Sequence, residues 1–134
     1  MSGPAPGALP RSPRRAPSPA DDAAPTRVLR IDPAPGTVGV FGDAPVVALL
    51  TRPVDGLSVA VDTFQVTCDG RPVEGTLRAS PDGRAIVWTP LRPLAPGAEH
   101  HVRCAGLRDS LGRPVLPYDS AFVPCAVTLA DLFG

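Results

Sequence analysis

An all-β, two-layer sandwich of about seven strands is the fold this sequence predicts, and three observations carry the prediction. Apolar side chains recur at every second position, as Ile86 and Trp88 do in the run from Arg84 to Thr89, and Val102 and Cys104 in the run from Glu99 to Leu107. A period of two puts such side chains on one face of a strand. The 134 residues include 19 Pro and 13 Gly, which punctuate turns and block helix interiors. Turn signals recur roughly every 8 to 12 residues, the spacing of short antiparallel strands.

The elements follow in order. Residues 1–26 are mostly Ala, Pro, Gly, Ser and Arg, and after Met1 the one bulky apolar residue is Leu9. Such a segment buries too little surface to offset the entropy of ordering it, so a disordered tail or linker is expected. Within it, Ser12-Pro13-Arg14-Arg15-Ala16-Pro17 has the composition a proline-reading module takes. The sandwich is expected over 27–125. It opens with a strand at Val28-Leu29-Arg30-Ile31, stopped by Asp32-Pro33-Ala34-Pro35-Gly36, and continues along a sheet edge from Thr37 to Val40. The run from Pro45 to Thr51 is continuously apolar, which predicts a central strand with Val46, Ala48 and Leu50 inward.

Arg52-Pro53-Val54-Asp55-Gly56-Leu57 leaves that strand by a turn, and Val59 and Val61 suggest a short extended piece. Phe64 and Val66 alternate inward up to Cys68, where Asp69-Gly70 turns the chain. A strand at Gly75-Thr76-Leu77-Arg78 and a four-residue turn at Ser80-Pro81-Asp82-Gly83 form a hairpin with the Trp88 strand. The chain then rounds a corner marked by Pro90, Leu94, Pro96 and Gly97 into the strand of Val102, and turns again from Asp109 to Gly112. Pro114 to Tyr118 is too broken by proline for a central strand, and Phe122 points inward on the last one. The tail 126–134 has an apolar face suited to one helical turn or to a partner.

Composition narrows the function. Thirteen Arg balance thirteen acidic residues, leaving no net charge to attract nucleic acid or an anionic membrane. No apolar run reaches the roughly 18 residues of a membrane span. Arg11, Arg14 and Arg15 imitate the start of a secretory signal, but Pro17, Pro19, Asp21, Asp22 and Pro25 break the stretch behind them. Read literally this predicts a cytoplasmic chain, and read as an internal piece, a longer secreted one.

Few residues suit chemistry. His100 and His101 are adjacent, so in a strand they point to opposite faces and do not converge on one metal without a Cys or carboxylate from elsewhere. Packing is expected for His100 and exposure for His101. Cys68, Cys104 and Cys125 are too far apart for a C-x-x-C device. Cys104 has inward parity and reads as a small buried hydrophobe. Cys68 and Cys125 lie near strand ends and are the candidate disulfide in an oxidising compartment, three free thiols being the alternative in a reducing one. Asp109 opening a turn that closes at Gly112 reads as turn chemistry, its carboxylate capping backbone N–H groups. Ser58, Ser80, Ser110 and Ser120 lack a G-x-S-x-G setting, and nothing brings Glu74 and Glu99 together, so no enzyme and no cofactor are expected.

From Val28 to about Val123 the chain resembles the bacterial immunoglobulin-like domains of the S-layer (SbsA) type. The resemblance lies in Pro33-Ala34-Pro35-Gly36-Thr37, Arg52-Pro53-Val54-Asp55, Asp82-Gly83-Arg84, Trp88-Thr89-Pro90, Leu94-Ala95-Pro96-Gly97 and Asp109-Ser110-Leu111-Gly112, in that order. It implies an immunoglobulin-like sandwich that spaces, displays or docks parts of a cell-envelope or secreted protein, with a neighbouring domain or protein as partner. His100 departs from the family, which carries an aromatic, often Tyr, at that place; His100 is expected to take over part of its packing. Calcium occurs in some such domains, which singles out Asp43, Asp55 and Asp109, although no D-x-D-x-D-G loop exists here. The alternative function is a glycan- or metal-binding accessory module, with its site at the loop ends near His100, His101 and Asp109.

Overall fold

The computed structural model describes residues 24–133, and the expected tail, apart from its last three residues, lies outside that range. Nine strands form among the described residues: β1 (Val28–Asp32), β2 (Thr37–Val40), β3 (Val46–Leu50), β4 (Phe64–Cys68), β5 (Arg71–Pro72), β6 (Gly75–Ala79), β7 (Ala85–Pro90), β8 (His100–Cys104) and β9 (Tyr118–Pro124). One short helix, α1 (Leu129–Phe133), closes the chain. One sheet has the order β1-β3-β7-β6 and the other β2-β9-β8-β4-β5. All pairings are antiparallel except that of β2 with β9, which is parallel. This is the ABED against CFG arrangement of an immunoglobulin-like sandwich, with β2 and β5 added at the edges of the second sheet.

Those two edge strands account for the count above seven. β2 forms at the sheet edge over Thr37–Val40, where the sequence placed it, while β5 is two residues long, carries no alternating apolar signal, and is recruited by backbone pairing to β4. Alternation elsewhere is realised as read. Val46, Ala48 and Leu50 of β3 face Ile86 and Trp88 of β7 across their pairing, and Phe64, Val66, Val102, Cys104 and Phe122 close the interior from the second sheet. β3 is central, as its continuous apolarity requires.

Three segments differ from the sequence reading. Val59 and Val61 are not in a strand. Asp55 Oδ1 accepts the Leu57 N–H to start a 3-10 turn over Gly56–Ser58, and the Thr63 hydroxyl binds the Ser58 and Ala60 carbonyls, so local side-chain bonds fold that apolar alternation into a loop. The Val102 strand stops at Cys104, because Gly106 turns the chain at φ +90°, although Leu107 beyond it is still buried. Thr26, assigned to the tail from sequence, is buried and bridges to Val115.

Candidate functional site

The two poles of the sandwich are held by different devices. At one, Asp109 is buried at the head of its turn. Its Oδ1 accepts the Leu111 and Arg113 backbone N–H groups at 3.0 and 2.9 Å, while Oδ2 accepts the Thr26 hydroxyl at 2.7 Å and Arg113 Nε at 3.2 Å. Gly112, at φ +81°, returns its N–H to the Asp109 carbonyl. Burial pushes the Asp109 carboxyl upward, but the bonds from Thr26, Arg113 and Leu111 and the Arg113 charge outweigh it and hold it below the ordinary carboxylate value. The capping role follows from sequence. The Thr26 contact, 83 positions away, does not.

At the opposite pole the corner from β7 to β8 passes Pro90, which pairs with Gly75, and buried Leu94, whose N–H donates to the Gly42 carbonyl. Pro96 is exposed, and Gly97, at φ +78°, donates its N–H to the Pro124 carbonyl. His100 is buried against Phe122, with ring centroids 5.6 Å apart and 21° between planes. Its Nδ1 lies 2.9 Å from the Ala98 carbonyl, a contact that requires Nδ1–H to donate. His101 points outward and sits 3.1 Å from Glu99. His100 therefore fills the aromatic position as expected from the resemblance.

The loop-end site grouping His100, His101 and Asp109 is corrected by this layout. The histidines start β8, which runs roughly 13 Å to Cys104 at about 3.3 Å per residue, and Asp109 lies beyond that far end. Of the calcium candidates, Asp43 lies at the other pole and accepts the Leu129 and Ala130 N–H groups of α1, while Asp55 and Asp109, on segments that bridge at Val54 and Asp109, spend their carboxylates on different turns, Asp55 on Leu57 and Asp109 on its own loop. Among the described residues no group of three or more His, Cys, Asp or Glu is placed to hold a metal ion. Addition of zinc, copper or calcium is expected to leave the melting temperature of the purified domain unchanged, as scanning fluorimetry would read.

All three cysteines are free thiols. The pairing of Cys68 with Cys125 is also corrected: Cys68 ends β4 opposite His100, Cys125 follows β9, and β8 runs between them. Two strand spacings of about 4.8 Å already exceed the roughly 7 Å that a disulfide tolerates between Cα atoms. Cys104 is buried, and desolvation, aided by the charge of Asp119, pushes its thiol up to about 12. A thiol reagent at pH 8 is expected to label half-buried Cys68 and Cys125 in the native protein, and Cys104 only once denaturant is added, as peptide mass spectrometry would resolve.

An open flank lies between the edges of the two sheets, β6 in one and β5 in the other. Phe64 and Val66 of β4, Pro72 and Val73, Leu77 of β6 and Trp88 of β7 line a mainly apolar cleft of about 290 Å³. A second recess of about 310 Å³ adjoins it past Glu74 and Leu91 and reaches His100. Gly75 lets the indole into this wall, since a Cβ there would stand 2.4 Å from Trp88 Cε2 and 2.6 Å from the Thr89 carbonyl oxygen. The sequence reading missed this cleft; its signal was Gly75 opposite Pro90 at the start of a strand.

No family model matches the chain, and no curated protein does. Solved structures do. The N-terminal part of the bacterial S-layer protein SbsC aligns over 78% of this chain and 24% of its own, at 18% identity and TM-score 0.61. CopC from Methylosinus trichosporium OB3b aligns over 75% of this chain and 93% of its own, at 13% identity and TM-score 0.63. An L,D-transpeptidase from Mycobacterium smegmatis aligns over 76% of this chain and 41% of its own, at 19% identity and TM-score 0.55. The shared feature is the β-sandwich. The chain spans about a quarter of the SbsC fragment and less than half of the transpeptidase, while it matches nearly all of CopC.

Proposed function

We propose that this domain is a non-enzymatic immunoglobulin-like module that spaces or docks the parts of a cell-envelope protein. The observation that carries this reading is the placement of the two ends of the sandwich. The chain comes in at Thr26, tied to Asp109 at one pole, and goes out through 125–133 at the other. There Cys125 N–H donates to the Val40 carbonyl, Gly42 N–H to the Val127 carbonyl, and Asp43 caps α1. A sandwich held at opposite poles transmits position along a chain, as a spacer must. The likeness to one segment of an S-layer protein and to one segment of an L,D-transpeptidase supports a modular role in the envelope. The side chains most suited to chemistry, Asp109 and His100, are engaged by the fold itself.

The test is fractionation of the cells that make the natural protein, with protease added to intact cells. Recovery in the envelope or the medium, with digestion from outside, is the expected result; recovery in the cytosol would overturn the reading. A rise in melting temperature with copper, zinc or calcium would instead favour the ligand-binding alternative.

A further inference from the structure

We propose that the domain pairs with a second copy of itself through β6, joining two four-stranded sheets into one continuous sheet across a two-fold axis at Leu77. The sandwich has four edge strands, β1, β6, β2 and β5. Three carry features that blunt an edge: β1 shifts register between Val28 and Arg30, β2 shifts between Val38 and Val40, and β5 is two residues long and ends in Pro72. β6 has none of them. It runs Gly75-Thr76-Leu77-Arg78-Ala79 in unbroken register along β7.

The backbone parity of β6 is fixed by its flanks. Leu91 N–H donates to the Glu74 carbonyl and Ser80 N–H to the Ala85 carbonyl, so the even-numbered positions turn their backbone groups toward β7. Gly75, Leu77 and Ala79 turn theirs toward the open edge. Antiparallel pairing centred on Leu77 makes Leu77 a hydrogen-bonded pair with its own copy, and Gly75 with Ala79 on either side.

The side chains agree with that register. On the cleft face, Leu77 meets Leu77, and the small Gly75 meets the small Ala79, so no bulky pair collides. On the outer face, Thr76 lies opposite Arg78 of the copy, so no like charges are directly opposite, and the two Arg78 side chains stand on one diagonal across the axis. Glu74, just before β6, and Arg78 are both exposed and share the even parity of the strand, with Glu74 at the rim where the outer face meets the cleft. In this register Glu74 falls diagonal to Arg78 of the other copy, within reach of two long side chains, and the relation repeats by symmetry. Val61, 76% exposed, and Leu91, 59% exposed, stand at the cleft. With the two sheets joined, the two clefts lie side by side on the same face, and their apolar rims cover each other. Two Glu74–Arg78 contacts related by symmetry outnumber the one Arg78–Arg78 diagonal, and this self-complementary charge favours a second copy over an unrelated strand.

This inference rests on the reading of the domain as an interaction module, and the two fail separately. A monomer found in the envelope would sink the dimer alone, and a dimer found in the cytosol would sink the envelope role alone. The experiment is sedimentation of the full chain from micromolar to millimolar concentration, with thermal unfolding of each variant as the fold control. A concentration-dependent dimer is expected. Ala79→Pro removes an N–H that points to the open edge and leaves the β6–β7 ladder intact, so it is expected to yield monomer at every concentration. Glu74→Arg and Arg78→Glu are each expected to weaken dimerisation at least about tenfold, and the double variant to recover it, as the diagonal charge pair requires. Wild-type monomer throughout, a dimer indifferent to Ala79→Pro, or a double variant no better than the singles would overturn the proposal.

Discussion

Replacing Asp109 by Ala is expected to lower the melting temperature by about 15 °C, the equivalent of about 3 kcal/mol in a domain of this size. The reason is what the carboxylate leaves behind. Thr26 is fully buried and loses the acceptor of its hydroxyl, while the Leu111 and Arg113 N–H groups lose theirs. Arg113 is about a third exposed and Leu111 largely so, which lets water reach them and keeps the cost below the sum of the lost bonds. Thr26→Val, which removes one donor and keeps the shape, is expected to cost about 1 kcal/mol, and far less once Asp109 is gone. A chain begun at Val28 should therefore be as unstable as the Thr26 variant or more so.

The same carboxylate sets a pH dependence. Its folded value lies below the ordinary 3.8, so the stability it contributes is complete above that value and is lost as pH falls through the lower, folded one. Asp109→Asn is thus expected to be less stable than the wild type at pH 7 and to approach it in strong acid. Melting curves for the two proteins between pH 2 and 7 decide this; parallel curves would refute it.

Loss of the indole is the second large effect. Trp88→Ala is expected to cost about 3 to 5 kcal/mol, the usual range for a large aromatic removed from a core, measured by chemical denaturation followed by circular dichroism. Gly75→Ala probes the same contact from the other side. The new Cβ would overlap Trp88 Cε2 and Nε1, at 2.4 and 2.5 Å, so the indole must move, costing about 1 to 3 kcal/mol and shifting Trp88 emission. Because the Cβ also meets the Thr89 carbonyl oxygen at 2.6 Å, shrinking Trp88 relieves only part of that cost. A Gly75→Ala protein with wild-type emission and stability would show that the glycine is not what admits the indole.

Legibility tracked the range of the force involved. Turns at Ser80 to Gly83 and Asp109 to Gly112 were readable because the capping carboxylate and the glycine lie within four residues of what they serve. The inward faces of β3, β4, β7 and β8 were readable because a period of two survives in the sequence. Val59 and Val61 misled because the same period occurred where hydroxyl and carboxylate bonds close a loop. The metal grouping failed because β8 carries the chain away from His100 before the turn at Gly106 leads to Asp109 at the other pole.

What the amino acids determined alone was the all-β class, the strand faces and the corners, since propensity, side-chain alternation and capping act over a few neighbouring residues. What waited for the tertiary structure was every relation across sheets or poles: the bond from Thr26 to Asp109, the separation of Cys68 from Cys125, the parallel pairing of β2 with β9, the recruitment of β5, and the open flank beside Gly75. Those depend on how the two layers close over each other, and nothing in the local order of residues records which distant backbone arrives alongside.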